Sequence, residues 1–196
     1  MRVAVFGAAG RTGRLVVDRV LHAGHDVTAL VRRPDVELPA QARLTRGDAR
    51  ETSALDTALE GVDAVASVMA IQATTEPTTD LSDATRAIVQ AMDRRGISRI
   101  VITTNASVFH DREVADPYRI VAIEHRRNVV MLRATSLAWT VLAPGFLTDD
   151  DASGRYDATI DAAAPGRSIS RQALAVAVVD ALERDDWIGH IVGVSD

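Results

Sequence analysis

Short apolar runs alternate along the chain with segments whose apolar residues recur at helical spacing. The apolar runs predict strands over residues 2–6, 26–31, 42–46, 62–69, 97–103, 138–143 and 188–194. Helical spacing predicts helices that open at Arg14 and after Ser170, and helices over residues 52–59, 80–96 and 119–134. Repeated alternation of strand and helix predicts an α/β fold with a doubly wound parallel sheet flanked by helices, in one domain over residues 1–196.

The first predicted strand leads directly into the glycine-rich segment Gly7-Ala8-Ala9-Gly10-Arg11-Thr12-Gly13. Strand, glycine turn and helix in this order are the context that a dinucleotide-binding fingerprint requires. Gly7 permits a sharp turn, Gly10 lets the main chain approach a pyrophosphate, and Gly13 allows close packing of the helix on the strand. The N–H groups at the helix N-terminus favour phosphate. A strand–helix turn with coincidental glycines is the alternative, and the flanking elements favour nucleotide binding.

The second predicted strand is followed by Arg32, Arg33 and Pro34, and the first acidic residue, Asp35, comes only after the proline. In doubly wound folds an acidic side chain at this position accepts hydrogen bonds from the ribose 2′-OH of NAD, whereas arginine accommodates the 2′-phosphate of NADP. Guanidinium groups are well suited to phosphate. We therefore expect NADP, with NAD as the alternative; a solvated pair of loop arginines is the other interpretation of this segment.

The ends of the predicted strands define one pocket. In a doubly wound sheet, ligands bind beyond the carboxyl ends of the strands. Those ends carry Gly7, Arg32, Asp48, Met69, Thr104 and Pro144. Asp48 has two compatible interpretations: it faces the adenine, or it caps the N-terminus of the helix predicted over residues 52–59.

Composition narrows the classes of function. A net charge of −5 without a basic run argues against nucleic-acid binding. The absence of cysteine excludes disulfides, thiol nucleophiles and cysteine-bound metal. All 22 basic residues are arginine, so mechanisms that need a lysine are closed to this chain. Charges interrupt every apolar stretch before it could span a bilayer, and the N-terminus predicts a core strand rather than a signal peptide, so we expect a cytoplasmic protein that binds no membrane.

These residues together resemble the NAD(P)H-binding, NmrA-like branch of the atypical short-chain dehydrogenase/reductase superfamily. The resemblance is closer to the flavin reductase/biliverdin-IXβ reductase group. The residues that carry it are 7–13, 27–32, 47–48, 99–101, 132–133, 139–144 and the tail 154–170. The resemblance implies a Rossmann-like fold and a reductase that passes hydride from NADPH to a flavin or another planar conjugated acceptor. A non-catalytic NAD(P)-binding redox sensor of the NmrA-like type is the alternative.

The resemblance also implies a set of cofactor contacts. The implied pyrophosphate contacts are Gly10, Arg11, Thr12 and Gly13. Arg32 would bind the 2′-phosphate, and Asp48 with Ala49 would bind the adenine. The residues implied for the ribose and nicotinamide are Val68, Met69, Thr103 and Pro144.

The chain departs from this family at its catalytic positions. Typical members use a Tyr-x-x-x-Lys pair, whereas Tyr118 is followed four residues later by Ala122. Asn105 stands where the flavin reductase group often has a serine, and Phe146 stands where that group has a histidine. Asn105 could donate a hydrogen bond to a substrate carbonyl or to the nicotinamide amide, or it could bind its own backbone in a turn. His125 could donate a proton near neutral pH, or it could lie on a solvated helix face.

Two further features concern ligands. Phe109 and Phe146 could stack on a flat acceptor or pack in the core and loops. A loop is predicted over residues 148–154, after the strand that ends near Pro144. Its residues Asp149, Asp150 and Asp151 place three carboxylates in sequence, but adjacent loop side chains point in different directions, so we expect them to be solvated and expect no metal site. The expected partner is a small-molecule acceptor, bound by a monomer or a weak homodimer.

Overall fold

The computed structural model describes residues 1–33, 35–110, 113–150 and 154–196, and these residues form strands and helices in regular alternation. The strands are β1 (Arg2–Phe6), β2 (Asp26–Val31), β3 (Arg43–Arg46), β4 (Ala64–Ser67), β5 (Arg99–Thr103), β6 (Ala138–Pro144), β7 (Phe146–Thr148), β8 (Asp157–Ile160), β9 (Ser168–Ser170) and β10 (Ile191–Ser195). The α-helices of these ranges are α1 (Arg11–His22), α2 (Thr52–Ala58), α3 (Asp80–Arg95), α4 (Arg119–Arg133) and α5 (Arg171–Glu183). Ala106–Phe109 and Asp185–Trp187 are short 3₁₀ segments.

Eight of the described strands form one sheet in the order β3-β2-β1-β4-β5-β6-β10-β8. Neighbouring strands run parallel except β8, which is antiparallel to β10. The chain moves outward from β1 to β3 and then returns to β4 on the other side of β1. The strand order therefore reverses between β1 and β4, which creates the crevice where such folds bind ligands. The predicted doubly wound, Rossmann-like sheet is confirmed.

The central strands of the sheet are buried on both faces. Val3 and Val5 of β1 belong to the core formed with α1 and α5, whereas Ala4 and Phe6 belong to the core formed with α2, α3 and α4. Successive residues of a strand point to opposite faces, so a strand covered on both sides is apolar throughout. This burial explains why β1 appears in the sequence as a continuous apolar run.

The structure corrects several predicted boundaries, since β4, β5 and β10 begin two or three residues later than predicted. Helix α1 begins at Arg11 rather than Arg14, because its first residues are polar or glycine and carry no apolar period. The predicted loop after β6 is wrong at Thr148, which lies in β7 and pairs with Ser170 of β9. Strands β7, β8 and β9 were not predicted, since they are short and most residues of β7 and β8 are exposed.

Candidate cofactor-binding site

The turn between β1 and α1 requires glycine at both of its ends. Gly7 has φ +83°, and a Cβ there would lie 2.8 Å from the carbonyl oxygen of Val68. A Cβ on Gly13 would lie 2.0 Å from the carbonyl oxygen of Gly7. Main chain crowds both positions, so neither tolerates a side chain without a shift of the backbone. The predicted roles of Gly7 in the turn and Gly13 in helix packing agree with this geometry.

Gly10 differs from these two glycines because its surroundings are open. It is the N-cap of α1, its φ is −76°, and its N–H donates to the carbonyl oxygen of Gly7 at 3.0 Å. A Cβ on Gly10 would meet only that oxygen within 4 Å, at 3.2 Å, among the described atoms. Its φ imposes no backbone strain, and a Cβ would require the carbonyl oxygen of Gly7 to shift by only a few tenths of an ångström. The space that a side chain would fill is the space that a diphosphate needs, so this turn fits the predicted ligand.

The N-terminus of α1 carries no capping side chain. Gly10 cannot provide one, and the first turn, which contains Arg11, Thr12 and Gly13, has no acidic residue. Throughout the described ranges, no side chain accepts a hydrogen bond from the N–H groups of that turn. Such N–H groups and the positive end of the helix dipole form an anion site.

Arg11 is held beside this N-terminus by an acidic side chain. Its Nη1 donates to Oδ2 of Asp149 at 2.7 Å, and Oδ1 of Asp149 accepts a hydrogen bond from Nη1 of Arg171 at 2.6 Å. Arg171 is the first residue of α5, so Asp149 connects the N-termini of α1 and α5. Both Arg11 and Asp149 remain largely exposed, which leaves the Arg11 guanidinium accessible to a ligand.

Asp48 and Arg32 lie at the ends of β3 and β2. Oδ1 of Asp48 accepts hydrogen bonds from the backbone N–H and Nε of Arg50, both at 2.9 Å, and Oδ2 accepts one from Nη2 of Arg50 at 3.0 Å. These bonds are the main reason that the pKa of Asp48 lies below its usual value, and the charge of Arg32 acts in the same direction. Arg32 itself is exposed and makes no hydrogen bond or ion pair with the described residues.

The helix-capping interpretation of Asp48 is wrong. Glu51, rather than Asp48, is the N-cap of α2, and it provides no side-chain cap. Asp48 instead accepts a hydrogen bond from the N–H two residues ahead, as aspartate does in tight turns. Ala49 is 9% exposed and packs in the core beside α2, so its side chain contributes little surface to a ligand.

The ends of β4, β5 and β6 bring the remaining predicted residues to the same edge. Val68 and Met69 follow β4 and are partly buried, and the N–H of Val68 donates to the carbonyl oxygen of Phe6 at 3.0 Å. Thr103 ends β5, and Pro144 ends β6 and is buried. Because β1, β4, β5 and β6 are parallel neighbours, these residues line one continuous edge with the glycine turn.

The two catalytic candidates have structural environments that limit their chemistry. Asn105 precedes a 3₁₀ turn, and its Oδ1 accepts hydrogen bonds from the backbone N–H of Ser107, at 3.1 Å, and from the Ser107 hydroxyl. His125 is 4% exposed on the inner side of α4, so the solvated helix-face interpretation is wrong. Burial lowers the pKa of His125 to about 4, which makes its imidazole neutral near pH 7 and removes the basis for a proton donor there.

Phe109 and Phe146 occupy different environments. Phe109 packs, partly buried, against the core, whereas Phe146 is 78% exposed on β7 just beyond Pro144. Tyr118 is also exposed, at the residue before α4. Of the two phenylalanines, only Phe146 therefore presents a largely accessible ring at the carboxyl edge of the sheet.

Sequence reasoning missed Glu124, which is fully buried on α4. Its Oε2 accepts hydrogen bonds from the N–H groups of Leu81, at 3.0 Å, and Ser82, at 2.9 Å, in the first turn of α3. Its Oε1 accepts from the Ser82 hydroxyl at 3.0 Å and from Nη1 of Arg127 at 2.7 Å. In the sequence, the only local sign of a role for Glu124 is Arg127, three residues later. The same spacing is also typical of an ion pair on the exposed face of a helix, so it does not predict burial.

In the part of the chain that the structure describes, no helix has the length and apolar character needed to cross a membrane. The same residues contain no group of three or more histidine or acidic side chains that could hold a metal ion. Asp151 lies outside the described residues, so the interpretation of the aspartate triplet remains a prediction there.

Comparisons with known proteins agree with this geometry. The family model that matches residues 7–185 describes an NAD(P)H-binding family. An uncharacterised protein of Mycobacterium tuberculosis H37Rv is 35% identical over 106 residues, which make up 54% of this chain and 12% of that protein. The chain therefore spans about an eighth of the length of this relative.

Two solved structures share the fold over the whole chain. A candidate NADH-flavin reductase from Streptococcus pneumoniae has a TM-score of 0.81 and 22% identity, and the match covers 100% of this chain and 99% of that one. A short-chain dehydrogenase/reductase from Veillonella parvula, solved in complex with NADP, has a TM-score of 0.80 and 18% identity, with 100% and 94% of the two chains covered. The family resemblance predicted from the sequence is confirmed as far as an NAD(P)H-binding family with a Rossmann fold: the match over residues 7–185 shows that the chain belongs to the NAD(P)H-binding family.

Proposed function

We propose that the protein is an NADPH-dependent reductase that passes hydride to a flavin or a similar planar conjugated acceptor. The observation that carries the proposal is the N-terminus of α1, which has no capping side chain and lies beside Gly10, where no Cβ occupies the space for a diphosphate. When bound, the reduced nicotinamide supplies the hydride, and a proton for the reduced acceptor comes from solvent. The chain's own residues bind and orient the two partners and exclude water.

The preference for NADPH rests on Arg32. This side chain is exposed, follows β2 and has no hydrogen-bonding partner among the described residues, and no acidic residue stands beside it at the strand end. A free guanidinium at this position suits a 2′-phosphate, whereas NAD-specific proteins have a carboxylate there. The NADP bound to the Veillonella neighbour is consistent with this preference.

The choice of a planar acceptor rests on Phe146. Its ring is 78% exposed just beyond Pro144, and the N–H of Phe146 donates to the carbonyl oxygen of Arg167 at 2.9 Å, which anchors β7. An exposed aromatic ring on an anchored strand offers a flat apolar surface on which a conjugated ring can stack. A flavin needs little acid catalysis from the protein, so the proposal does not depend on Asn105 or His125.

A second function is favoured by those same two residues. Asn105 is an amide whose Oδ1 accepts from Ser107, so it can donate a hydrogen bond through Nδ2 but cannot supply a proton, and His125 is buried and neutral. A site that binds the cofactor but supplies no acid or base suits a non-catalytic NAD(P)-binding redox sensor. The two functions differ in one measurable property, which is turnover.

The test is consumption of NADPH and NADH by the purified protein with FMN, FAD or a quinone, beside titrations with each cofactor. We expect turnover with NADPH and a rise in its KM by about tenfold or more in Arg32→Gln, because a charged hydrogen bond to phosphate is lost. Arg33→Gln is the matched control, since it makes the same charge change one residue further on. Equal losses in both variants would mean that only net charge matters.

Three outcomes decide between the functions. Turnover that declines in Phe146→Ala through a higher KM for the acceptor, and not in Leu147→Ala, supports the reductase and its acceptor surface. Tight binding of NADPH without turnover on any acceptor supports the sensor instead. Failure to bind either cofactor would overturn the interpretation of the glycine turn itself.

A further inference from the structure

Arg50 connects two carboxylates at the corner of the sheet where the adenine end of a dinucleotide is expected. Its backbone N–H and Nε both donate to Oδ1 of Asp48 at 2.9 Å, and its Nη2 donates to Oδ2 of Asp48 at 3.0 Å. Its remaining terminal nitrogen, Nη1, donates to Oδ1 of Asp80 at 2.7 Å. Asp80 is the first residue of α3, so one guanidinium joins the turn after β3 to the start of a helix. This two-sided attachment fixes both the position of Arg50 and the orientation of the Asp48 carboxylate.

A second arginine lies within electrostatic reach of the same carboxylate. Arg32 and Asp48 follow neighbouring parallel strands, in which Val31 pairs with Arg46 and the N–H of Gly47 donates to the carbonyl oxygen of Val31 at 3.1 Å. The charge of Arg32 also lowers the pKa of Asp48, yet Arg32 forms no hydrogen bond with Asp48 or with any other described residue. Asp48 is therefore a possible partner for two guanidinium groups and is bound by only one of them. The forked geometry of Arg50, which satisfies both oxygens at once, accounts for this choice.

We propose that Arg50 is a positioning residue for cofactor selection: by occupying both oxygens of Asp48, it keeps this carboxylate from pairing with Arg32 and leaves Arg32 to bind the 2′-phosphate. The inference rests on the proposed function, because it assumes that Arg32 contacts the phosphate of NADPH. Of the two arginines whose charge acts on Asp48, only Arg32 remains when Arg50 is removed. Asp48 then competes with the 2′-phosphate for the same guanidinium.

The experiment is a titration of the full chain with NADPH and with NADH, in the wild-type protein, Arg50→Gln and the double variant Arg50→Gln/Asp48→Asn. We expect the preference for NADPH over NADH to fall about fivefold in Arg50→Gln, the upper end for competition from an exposed ion pair. The double variant should regain the wild-type preference, since an amide does not pair with Arg32. Both cofactors carry the same adenine, so any lost adenine contact cancels in the ratio.

Arg94→Gln is the matched control. Arg94 lies near the C-terminal end of α3 and, like Arg50, is an exposed arginine that pairs with an aspartate, here Asp56. Its cofactor preference should equal that of the wild-type protein, and thermal unfolding of each variant checks that the fold is retained. An unchanged preference in Arg50→Gln, or a double variant that stays impaired, would overturn the inference while leaving cofactor binding intact. Wild-type protein that binds neither cofactor would overturn the proposed function and this inference together.

Discussion

The N-termini of α1 and α3 lie at the same edge of the sheet, but only the N–H groups of α3 are bound by a side chain of the described residues. At α3, the buried carboxylate of Glu124 accepts hydrogen bonds from Leu81 and Ser82, so the chain supplies its own anion. At α1, Gly10 provides no cap and the first turn has no acidic residue. Helix N-termini attract anions in both cases. Of these two helices, α1 leaves that attraction available to a ligand, which favours it as the proposed cofactor site.

The two ends also differ in what holds them in place. The α1 turn depends on the shape of the main chain, since a Cβ added to Gly7 or to Gly13 would lie within 3 Å of backbone atoms. The α3 end depends on a buried charge and its hydrogen bonds, with Glu124 fully buried and Arg127 beside it. Substitutions should therefore damage the α3 end mainly through unfolding, and the α1 end mainly through lost cofactor binding.

The largest effect is expected from Glu124→Ala. The variant leaves the buried N–H groups of Leu81 and Ser82 without their acceptor, which costs about 1–3 kcal/mol for each group in the free energy of unfolding, and it also removes the partner of the half-exposed Arg127 guanidinium. Urea denaturation measures the change. Glu60→Ala removes an exposed glutamate that pairs with Arg43 and should cost several times less. Similar losses in the two variants would contradict a special role for Glu124 at α3.

The next effect is a pH dependence of stability that arises at His125, next to Glu124 on α4. In the unfolded chain its imidazole takes up a proton as the pH falls through the ordinary pKa of 6.5. In the folded chain burial lowers this pKa to about 4, so the proton is taken up only at a lower pH. Between those values the unfolded state binds more protons, so stability is complete above pH 6.5 and falls as the pH falls towards 4. The difference corresponds to about 3 kcal/mol.

Urea denaturation at several pH values checks this dependence in the wild-type protein and in His125→Gln. The variant should show a flatter loss of stability between pH 6.5 and 4, while His110→Gln, which changes an exposed histidine, should follow the wild-type curve. An unchanged slope in His125→Gln would assign the acid sensitivity to other groups.

The difference between the two helix ends also explains what the sequence could predict. The spacing of glycines at positions 7, 10 and 13 between a strand and a helix was enough to predict the α1 turn, although the crowding of Gly7 by Val68 arises from a distant strand. The α3 cap joins residues 42 and 43 positions apart, and a glutamate on a helix ordinarily predicts a solvated face. His125 was misjudged for the same reason, because polarity alone does not show which side of α4 is buried. Strands β7 and β8 escaped prediction since they have little buried apolar surface.

A third prediction separates the two roles of glycine in the α1 turn. Gly13→Ala puts a Cβ 2.0 Å from the carbonyl oxygen of Gly7, and such overpacking should cost about 1–3 kcal/mol in the free energy of unfolding. Gly10→Ala places its Cβ 3.2 Å from the same oxygen, so the fold should be nearly as stable as the wild type. Its methyl group lies where the diphosphate should bind, and cofactor affinity should fall sharply. Gly10→Ala protein that binds NADPH normally would contradict the proposed site.

The smallest effect is expected at Asp149, whose carboxylate pairs with Arg11 beside the α1 N-terminus and with Arg171. The ion pair between Asp149 and Arg11 is exposed to solvent, so Asp149→Asn should change the free energy of cofactor binding by no more than about 1 kcal/mol. The expected direction is tighter binding of NADPH, because the diphosphate no longer competes with a carboxylate for Arg11. Asp150→Asn makes the same change of charge one residue away. Tighter binding in both variants would indicate long-range charge alone, and weaker binding in Asp149→Asn would mean that Asp149 holds Arg11 in its binding position.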